Sequence, residues 1–283
     1  MQSCPLCGAA GTKTFLRAAD DTRAQGERPF SFARCTECGV HFLEQDDNEL
    51  DLYTREKRDT VPVAGERRYV HWDDAIVREL QARGARGRLL DFGSGYGHLL
   101  RAAREAGIEA EGLDVSPSFA DAARAQSGCE VFVGPVTEAP YEAGRFGIVN
   151  AHFALEYVPN PRETMKRLAE ILEPHGWLRA FGFTTDSLAA RVRGAHWWNY
   201  ASTRRFLFSQ KTMRFLAEDS GLALVDVVHG GEQTSGHYLQ EQPTARSGLA
   251  RDLADLARFH LERVRVGSVS FGSARAFYMQ KPG

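Results

Sequence analysis

The sequence predicts an α/β protein, a mostly parallel sheet with helices on both faces, preceded by a small cysteine-bearing module. Three observations predict it. From residue 73 onward short apolar runs alternate with segments of helical periodicity, the pattern of strands joined by crossover helices. A glycine-rich turn, Gly93-Ser94-Gly95-Tyr96-Gly97, follows the first of those runs. Four of the five cysteines lie in the first 38 residues. The overall balance excludes several classes. Among 283 residues, 35 Lys and Arg face 37 Asp and Glu, a net charge of −2, so no strong field draws the chain to nucleic acid or to a membrane. Apolar runs such as Leu222–Val225 fall far short of the ~20 residues of a membrane span. The start, MQSCPLCGAAG, has no basic stretch followed by an apolar run and does not read as a secretory signal. A cytoplasmic enzyme or binding protein is the expectation.

Residues 1–44 form the first unit. Cys4-Pro-Leu-Cys7 and Cys35-Thr-Glu-Cys38 are each followed by glycine, with 27 residues between the pairs, enough for a hairpin. Two such knuckles supply the four thiolates of a tetrahedral structural zinc site, leaving no open position for catalysis. Two reducible disulfides or a redox CxxC are the alternatives, and neither explains a repeated CxxCG in a cytosolic chain. The unit has five basic residues (Lys13, Arg17, Arg23, Arg28, Arg34) against five acidic ones (Asp20, Asp21, Glu27, Glu37, Glu44). A neutral ribbon is a poor phosphate-binding surface, so nucleic acid is not the expected partner. Residues 45–74 read as a connector. Tyr53, Arg67, Arg68, Tyr69 and Trp72 suit either a lid helix over a cleft or surface packing.

Residues 75–283 carry the alternation. Asp73 caps a helix with Ile76, Val77 and Leu80 on one face. Strand Arg88–Phe92 leads into the glycine turn and helix His98–Ala106, which stops at Gly107. A second strand ends near Leu113, and Ser116-Pro117 opens a helix that stops at Gly128. Cys129 precedes strand Glu130–Val133 and reads as a buried core thiol. Strand Phe146–Ala151 follows, then a helix opened by the capping box Asn160-Pro161-Arg162-Glu163 and ending before Gly176. Trp177–Phe183 is a strand, Ser209–Ser220 a helix, and Leu222–His229 a strand. Helix Gly248–Val264 and strand Ala274–Gln280 complete the series. Insertions at about 184–208 and 230–248 interrupt it, and segments of that length suggest caps or lids.

In such sheets the ligand sits at the carboxyl ends of the strands. The glycines after Phe92 let a backbone approach a ligand and turn into a helix. Their spacing does not fit a dinucleotide fingerprint, whose third glycine falls one position later, where this chain has His98. Asp91, two residues before Gly93, repels a pyrophosphate and suits a cationic ligand such as an amino group or a sulfonium. Asp114, 23 residues further on, stands where an acid accepts both hydroxyls of a ribose. The alternative is that Asp91 is an N-cap and Asp114 a turn residue.

These residues resemble the S-adenosylmethionine-dependent methyltransferases of the seven-stranded, Rossmann-like class, whose first motif is hhDxGxGxG. Phe146 to Pro161 looks like the family's FDhVxxxxhLEHhxxP, and Leu172-Glu-Pro-His-Gly176 looks like its LxPGG. The ribbon and domain together resemble small-molecule methyltransferases of bacterial biosynthesis. The resemblance implies that Asp91, Gly93, Gly95 and Gly97 line the methionine part of the cofactor, that Asp114 holds the ribose, and that Val115 and the Gly134-Pro135-Val136 segment lie by the adenine. It also implies that Asn150–His152 line the methyl-transfer face. The chain departs from the family's pattern at Gly147, which replaces the Asp of the FD pair, at Pro135, where a polar side chain often meets the adenine, and at Tyr157, which replaces the His of LEH.

The acceptor is narrowed by absences. Asn150-Ala-His-Phe153 lacks the prolines of DNA and RNA amino methyltransferases, and no Pro-Cys nucleophile stands there. In the insertion, Arg191, Arg193, Arg204, Arg205, Lys211 and Arg214 surround His196-Trp197-Trp198-Asn199-Tyr200. Arginines beside aromatics suit a carboxylate or phosphate on a modest organic body, free or carrier-attached. The alternative is a solvated basic helix with Trp197 and Trp198 as core anchors. Substrate candidates are Tyr69, Trp198, Tyr200, Arg204, Arg205 and His237; candidate bases are His152, Tyr157 and His196. The expectation is a methyltransferase acting on a small anionic metabolite, oxygen before nitrogen or carbon. A zinc-bearing rRNA or tRNA methyltransferase and a catalytically inactive cofactor-binding scaffold are the alternatives.

Overall fold

The computed structural model describes residues 3–20, 28–44, 66–197, 199–201, 204–230, 265–266, 269–270 and 274–283. The predicted helix Gly248–Val264, nearly all of the insertion at 230–248, Tyr53, Trp198 and His237 lie outside them.

The alternation from Leu89 onward folds as the periodicity requires. The strands are β4 (Leu89–Phe92), β5 (Ala110–Asp114), β6 (Val131–Val133), β7 (Phe146–His152), β8 (Leu172–Phe183), β10 (Ala223–Gly230) and β13 (Ala274–Gln280). They form one seven-stranded sheet in the order β10-β13-β8-β7-β4-β5-β6. Only β13 runs antiparallel to its neighbours, β8 and β10. The crossovers are α2 (His98–Glu105), α3 (Pro117–Ser127), α4 (Pro161–Ile171) and α6 (Gln210–Asp219). Their starts follow the predicted chemistry: Ser116 Oγ accepts from the Phe119 amide at 3.5 Å, and Asn160 Oδ1 accepts from the Glu163 amide at 3.2 Å.

Two local expectations need correction. Helix α1 spans Glu66–Ala82, so Asp73 lies inside it rather than capping it. Helix α4 ends at Ile171, before Gly176 as expected, and β8 begins at once with Leu172 paired to Phe146. His175, in the left-handed region at φ 64°, stands in the bulge that precedes Trp177. Cys129 is half-buried at the core edge rather than inside it.

Gly147 has a steric reason. A Cβ there would run into the carbonyl oxygen of Arg86, so no aspartate fits this position.

The amino-terminal unit is a sheet of β1 (Thr12–Asp20), β2 (Arg28–Cys35) and β3 (His41–Leu43), and its fourth strand comes from elsewhere. β9 (Phe206–Leu207), from the end of the 184–208 insertion, pairs antiparallel with β3. The insertion also holds α5 (Leu188–Arg193). Cys4, Leu6, Val40 and Phe42 share one hydrophobic core with Leu155, Phe208 and Met213, so the ribbon is packed into the domain. A separate short pair, β11 (Arg265–Val266) with β12 (Val269–Ser270), precedes β13. Among the described residues no helix is long and apolar enough to cross a membrane.

Candidate functional site at the strand ends

Strand order reverses between β4 and β7: the chain moves outward through β5 and β6, then returns to β7 on the other side of β4. A crevice opens at the carboxyl ends of such a pair. The glycine turn stands there. Gly97 has φ 77°, and a Cβ on it would lie 2.8 Å from Ala123 Cα in α3. Gly95 differs: φ is 51°, but none of the described residues lies within 4 Å of an added Cβ. The turn is therefore closed on the helix side and open at Gly95, the shape of a cradle that a ligand can fill.

Two carboxylates flank this cradle. Asp114 is buried at the end of β5, its Oδ2 accepting from the Gly95 amide and its Oδ1 from the Ser116 amide, both at 2.9 Å. Each carboxylate oxygen keeps a lone pair for a hydroxyl. Burial pushes the Asp114 carboxyl up, and the backbone amides of Ser116, Gly95 and Val115 pull the other way. Asp91 on β4 is 4% exposed, and its Oδ1 accepts from Asn150 Nδ2 at 2.9 Å. Burial pushes its carboxyl up to about 7, the charge of Asp114 adds to the rise, and Asn150 and Arg179 oppose it. Asp73 on α1 is likewise raised to about 7 by burial and then by Asp91. Val115 presents an exposed apolar side chain beyond Asp114, whereas Val136 is buried. Asn150, expected on the transfer face, is buried one layer behind it, between Asp91 and Arg179.

Aromatic side chains gather at the ends of β7 and β8. Phe153 has φ 50°, a conformation non-glycine residues seldom adopt without a surrounding reason. Its amide donates to the Phe181 carbonyl at 2.8 Å. Its ring stacks on Phe183 at 4.7 Å, and His152 packs on Phe181 at 4.6 Å. A Cβ on Gly93 would lie 2.9 Å from Ala154 Cβ, so this wall adjoins the cradle. His152 and Tyr157 are half-buried, while His196 is exposed on a short 3-10 turn. Arg204 is buried, with its Nη1 donating to the Asn199 carbonyl at 3.3 Å and its guanidinium 5.5 Å over the Phe183 ring. Glu156, also buried, is pushed up to about 7 by burial, with Arg204 opposing the rise. Arg205 is half-buried, and Arg191, Arg193, Lys211 and Arg214 are exposed. Trp197 is a core residue, 1% exposed. The side chain of Tyr69 lies outside the described residues.

Tyr200, expected at the substrate, is tied to the ribbon: its hydroxyl lies 2.8 Å from His41 Nδ1, and its ring packs on Phe15, Phe32 and Trp197. Sequence reasoning missed His41 and Phe32 here, and Ser209 and Thr212 at the knuckles. Thr212 Oγ1 donates to the Cys38 carbonyl at 2.9 Å.

The four cysteines converge as the two CxxCG knuckles require. Cys4 and Cys38 sulfurs are 3.7 Å apart, those of Cys7 and Cys35 3.6 Å, and all four lie within 4.8 Å of one another. Tetrahedral ligands at a Zn–S distance of about 2.3 Å sit about 3.8 Å apart, so the donor set fits zinc. The Cys4 thiol is pulled down to about 5 by its hydrogen bond with Cys38, whose own thiol is pushed up.

A doubly wound α/β domain with its ligand site at the strand-order reversal is the class this geometry defines. The chain belongs to the methyltransferase domain family, whose profile matches residues 64–227. Curated relatives include a ubiquinone biosynthesis O-methyltransferase of Bordetella avium, 33% identical over 115 residues, 38% of this chain and 46% of that protein. A malonyl-[acyl-carrier protein] O-methyltransferase of Enterobacter lignolyticus is 31% identical over 116 residues, 41% of this chain and 46% of that protein. The chain thus spans about half the length of the curated relatives it matches. Among solved structures, a chain from the Haloferax volcanii complex of the Trm112 methyltransferase activator with a methyltransferase aligns with TM-score 0.59. It is 22% identical, over 83% of this chain and 98% of that one. The [4+2]-cyclase SpnF aligns with TM-score 0.53 at 18% identity, over 74% of this chain and 80% of that one. These likenesses show the fold alone.

Proposed function

We propose that this protein transfers a methyl group from S-adenosylmethionine to a small anionic metabolite, with oxygen as the acceptor atom. The observation that carries the reading is the pair of buried carboxylates on either side of an open glycine cradle. Asp91 suits the cofactor's ammonium group, and Asp114, braced by two backbone amides, suits its ribose hydroxyls. The exposed face of Val115 suits the adenine. S-adenosylmethionine supplies a methyl group on a sulfonium, open to in-line attack, and positioning supplies much of the rate of such a displacement.

The acceptor side is the aromatic wall of Phe153, Phe181 and Phe183, with His152 at its edge as the group that takes a hydroxyl proton. A carboxylate acceptor needs no base. The cation at this wall is Arg204, 5.5 Å over the Phe183 ring and opposed to Glu156, and Arg205 follows it half-buried. Trp197 Nε1 and both amide atoms of Asn199 are buried with no hydrogen-bond partner among the described residues, which supports an acceptor pocket bordered by the insertion. That both relatives are O-methyltransferases favours oxygen, and the acyl-carrier substrate of one keeps a carrier-attached acceptor in view. The cysteine cluster holds structural zinc.

Calorimetric titration of S-adenosylhomocysteine into wild type and Asp114→Ala tests the reading, with NADH as control. Binding by the wild type that weakens at least ~30-fold in the variant is the expected result, since charge-assisted hydrogen bonds and a braced turn are lost together. A folded, zinc-loaded wild type that binds no S-adenosylhomocysteine overturns it.

A further inference from the structure

A row of polar side chains crosses the middle of the sheet, where apolar residues are the rule. Asp91 on β4 stands opposite Asn150 on β7, Asn150 opposite Arg179 on β8, and Arg179 opposite Tyr278 on β13. Paired residues share a face, so the four side chains meet. Arg179 and Tyr278 are both 0% exposed, and Asn150 is 1% exposed. Arg179 Nη1 donates to Asn150 Oδ1 at 3.0 Å, and its Nε donates to the Tyr278 hydroxyl at 3.2 Å. A guanidinium only donates. It therefore fixes which end of the Asn150 amide faces it, and the amide NH2 is left directed at Asp91 Oδ1, at 2.9 Å.

We propose that Arg179 is a positioning residue for the cofactor site: acting through Asn150, it holds the Asp91 carboxylate as the acceptor for the cofactor's ammonium group. The inference rests on the cofactor reading above. A buried guanidinium is costly where an apolar side chain would do, and here its hydrogen bonds lead to the one carboxylate at the end of β4. Asp91 is otherwise surrounded by like charge. Asp114 faces it from β5 and Asp73 from α1, with Arg101 near Asp73, and Arg179 is the cation on the β8 side. Without Arg179 the amide is free to turn its oxygen toward Asp91, an arrangement that favours the protonated carboxyl. A protonated Asp91 is a poor partner for an ammonium group.

The sign of the pH effect follows. Burial has already pushed Asp91 up to about 7, so wild-type affinity falls as pH drops through that region. Removing Arg179 takes away an influence that lowers this value, and the fall moves to higher pH. S-adenosylhomocysteine titrated from pH 6 to 8.5 reads it out, because the ligand's own ionisation is common to all variants. Arg179→Met is expected to weaken binding about threefold at pH 7.5 and nearly tenfold at pH 6, as a rise of about one pKa unit requires, and to approach wild type at pH 8.5. Asn150→Leu shifts the profile the same way, and the double variant shifts it no further, because both break one relay. Arg179→Lys, which keeps the charge and perturbs folding least, restores part of the shift. Profiles that fall in parallel at every pH, or variants whose effects add, overturn the role of Arg179 while leaving the cofactor reading intact. A wild type that binds no S-adenosylhomocysteine overturns both.

Discussion

The cofactor end and the ribbon end of this molecule are built in opposite ways. Around the glycine turn, Asp91, Gly95 and Asp114 come from one strand–turn–helix–strand stretch, and the decisive hydrogen bond joins residues 19 apart. At the ribbon, the decisive contacts span the chain. His41 meets Tyr200 across 159 positions, and the Cys38 carbonyl meets Thr212 across 174. The first site is a local backbone shape that a few glycines impose. The second is a tertiary agreement, in which the insertion lends β9 to the ribbon sheet and the cysteines lend their side chains to the domain core. A local site survives damage elsewhere, whereas an interlocked one fails as a unit.

The harshest way to break this contrast is to remove a cysteine of the proposed zinc site. Structural zinc in small modules is worth an apparent ~10–16 kcal/mol, and here the knuckles share a core with Leu90, Phe208 and Met213. Cys38→Ser is expected to abolish zinc retention and to lower Tm of the whole chain by at least ~10 °C. The fraction that stays folded should keep S-adenosylhomocysteine affinity within ~3-fold. Zinc analysis, calorimetry and ligand titration on one preparation decide it. Wild-type Tm in a zinc-free variant would mean that the ribbon is an appendage after all.

A smaller effect separates shape from stability inside the cofactor end. Gly97→Ala forces a Cβ against the backbone of Ala123 at 2.8 Å and holds alanine at φ 77°. Strain and overpacking together cost about 3 kcal/mol, so Tm should drop by ~6–12 °C. Gly95→Ala carries only the strain of φ 51°, with none of the described residues within 4 Å of the new methyl. Its stability loss should be ~1–2 kcal/mol, while cofactor affinity falls at least tenfold because the methyl enters the cradle. Equal thermal losses in the two variants, or unchanged affinity in Gly95→Ala, would show that the turn is a fold element alone.

The same contrast governs what the sequence discloses. The six sheet strands and the crossovers among residues 89–230 are periodic and locally capped, so Ser116, Asn160 and the glycine spacing announce them. Asp91 and Asp114, the proposed cofactor acids, stand out because each lies at a strand end beside the glycine turn. Arg179 is not: a charged residue inside Trp177–Phe183 reads as an irregularity until the register sets it beside Asn150 and Tyr278. β9 escapes for a similar reason, since Phe206-Leu207 is too short to signal a strand and acquires one only by pairing with β3. The early start of α1 is hidden because Glu66–Trp72 has no cap or apolar stripe of its own. Tyr200 shows the cost of reading composition: an aromatic among arginines suggests a substrate grip, and its hydroxyl is engaged by a histidine from the other end of the chain.

That contact yields the mildest and sharpest test. Burial holds His41 down to about 3, with Arg34 adding to the effect, and burial pushes the Tyr200 phenol well up. Both partners are therefore neutral near pH 7, and their hydrogen bond is worth about 1 kcal/mol. The linkage has one sign: because the folded-state value of His41 is depressed, its contribution is fully present above the unfolded value near 6.5 and is lost as pH falls toward 3. Tyr200→Phe should lower Tm by ~2–4 °C, by the same amount at pH 7 and pH 8.5, with KM for the acceptor unchanged. A raised KM with Tm intact would move Tyr200 from the interlock to the acceptor. A thermal loss that varies between those two pH values would mean that one partner of the pair is charged, and that the ribbon is held to the insertion by electrostatics rather than by packing.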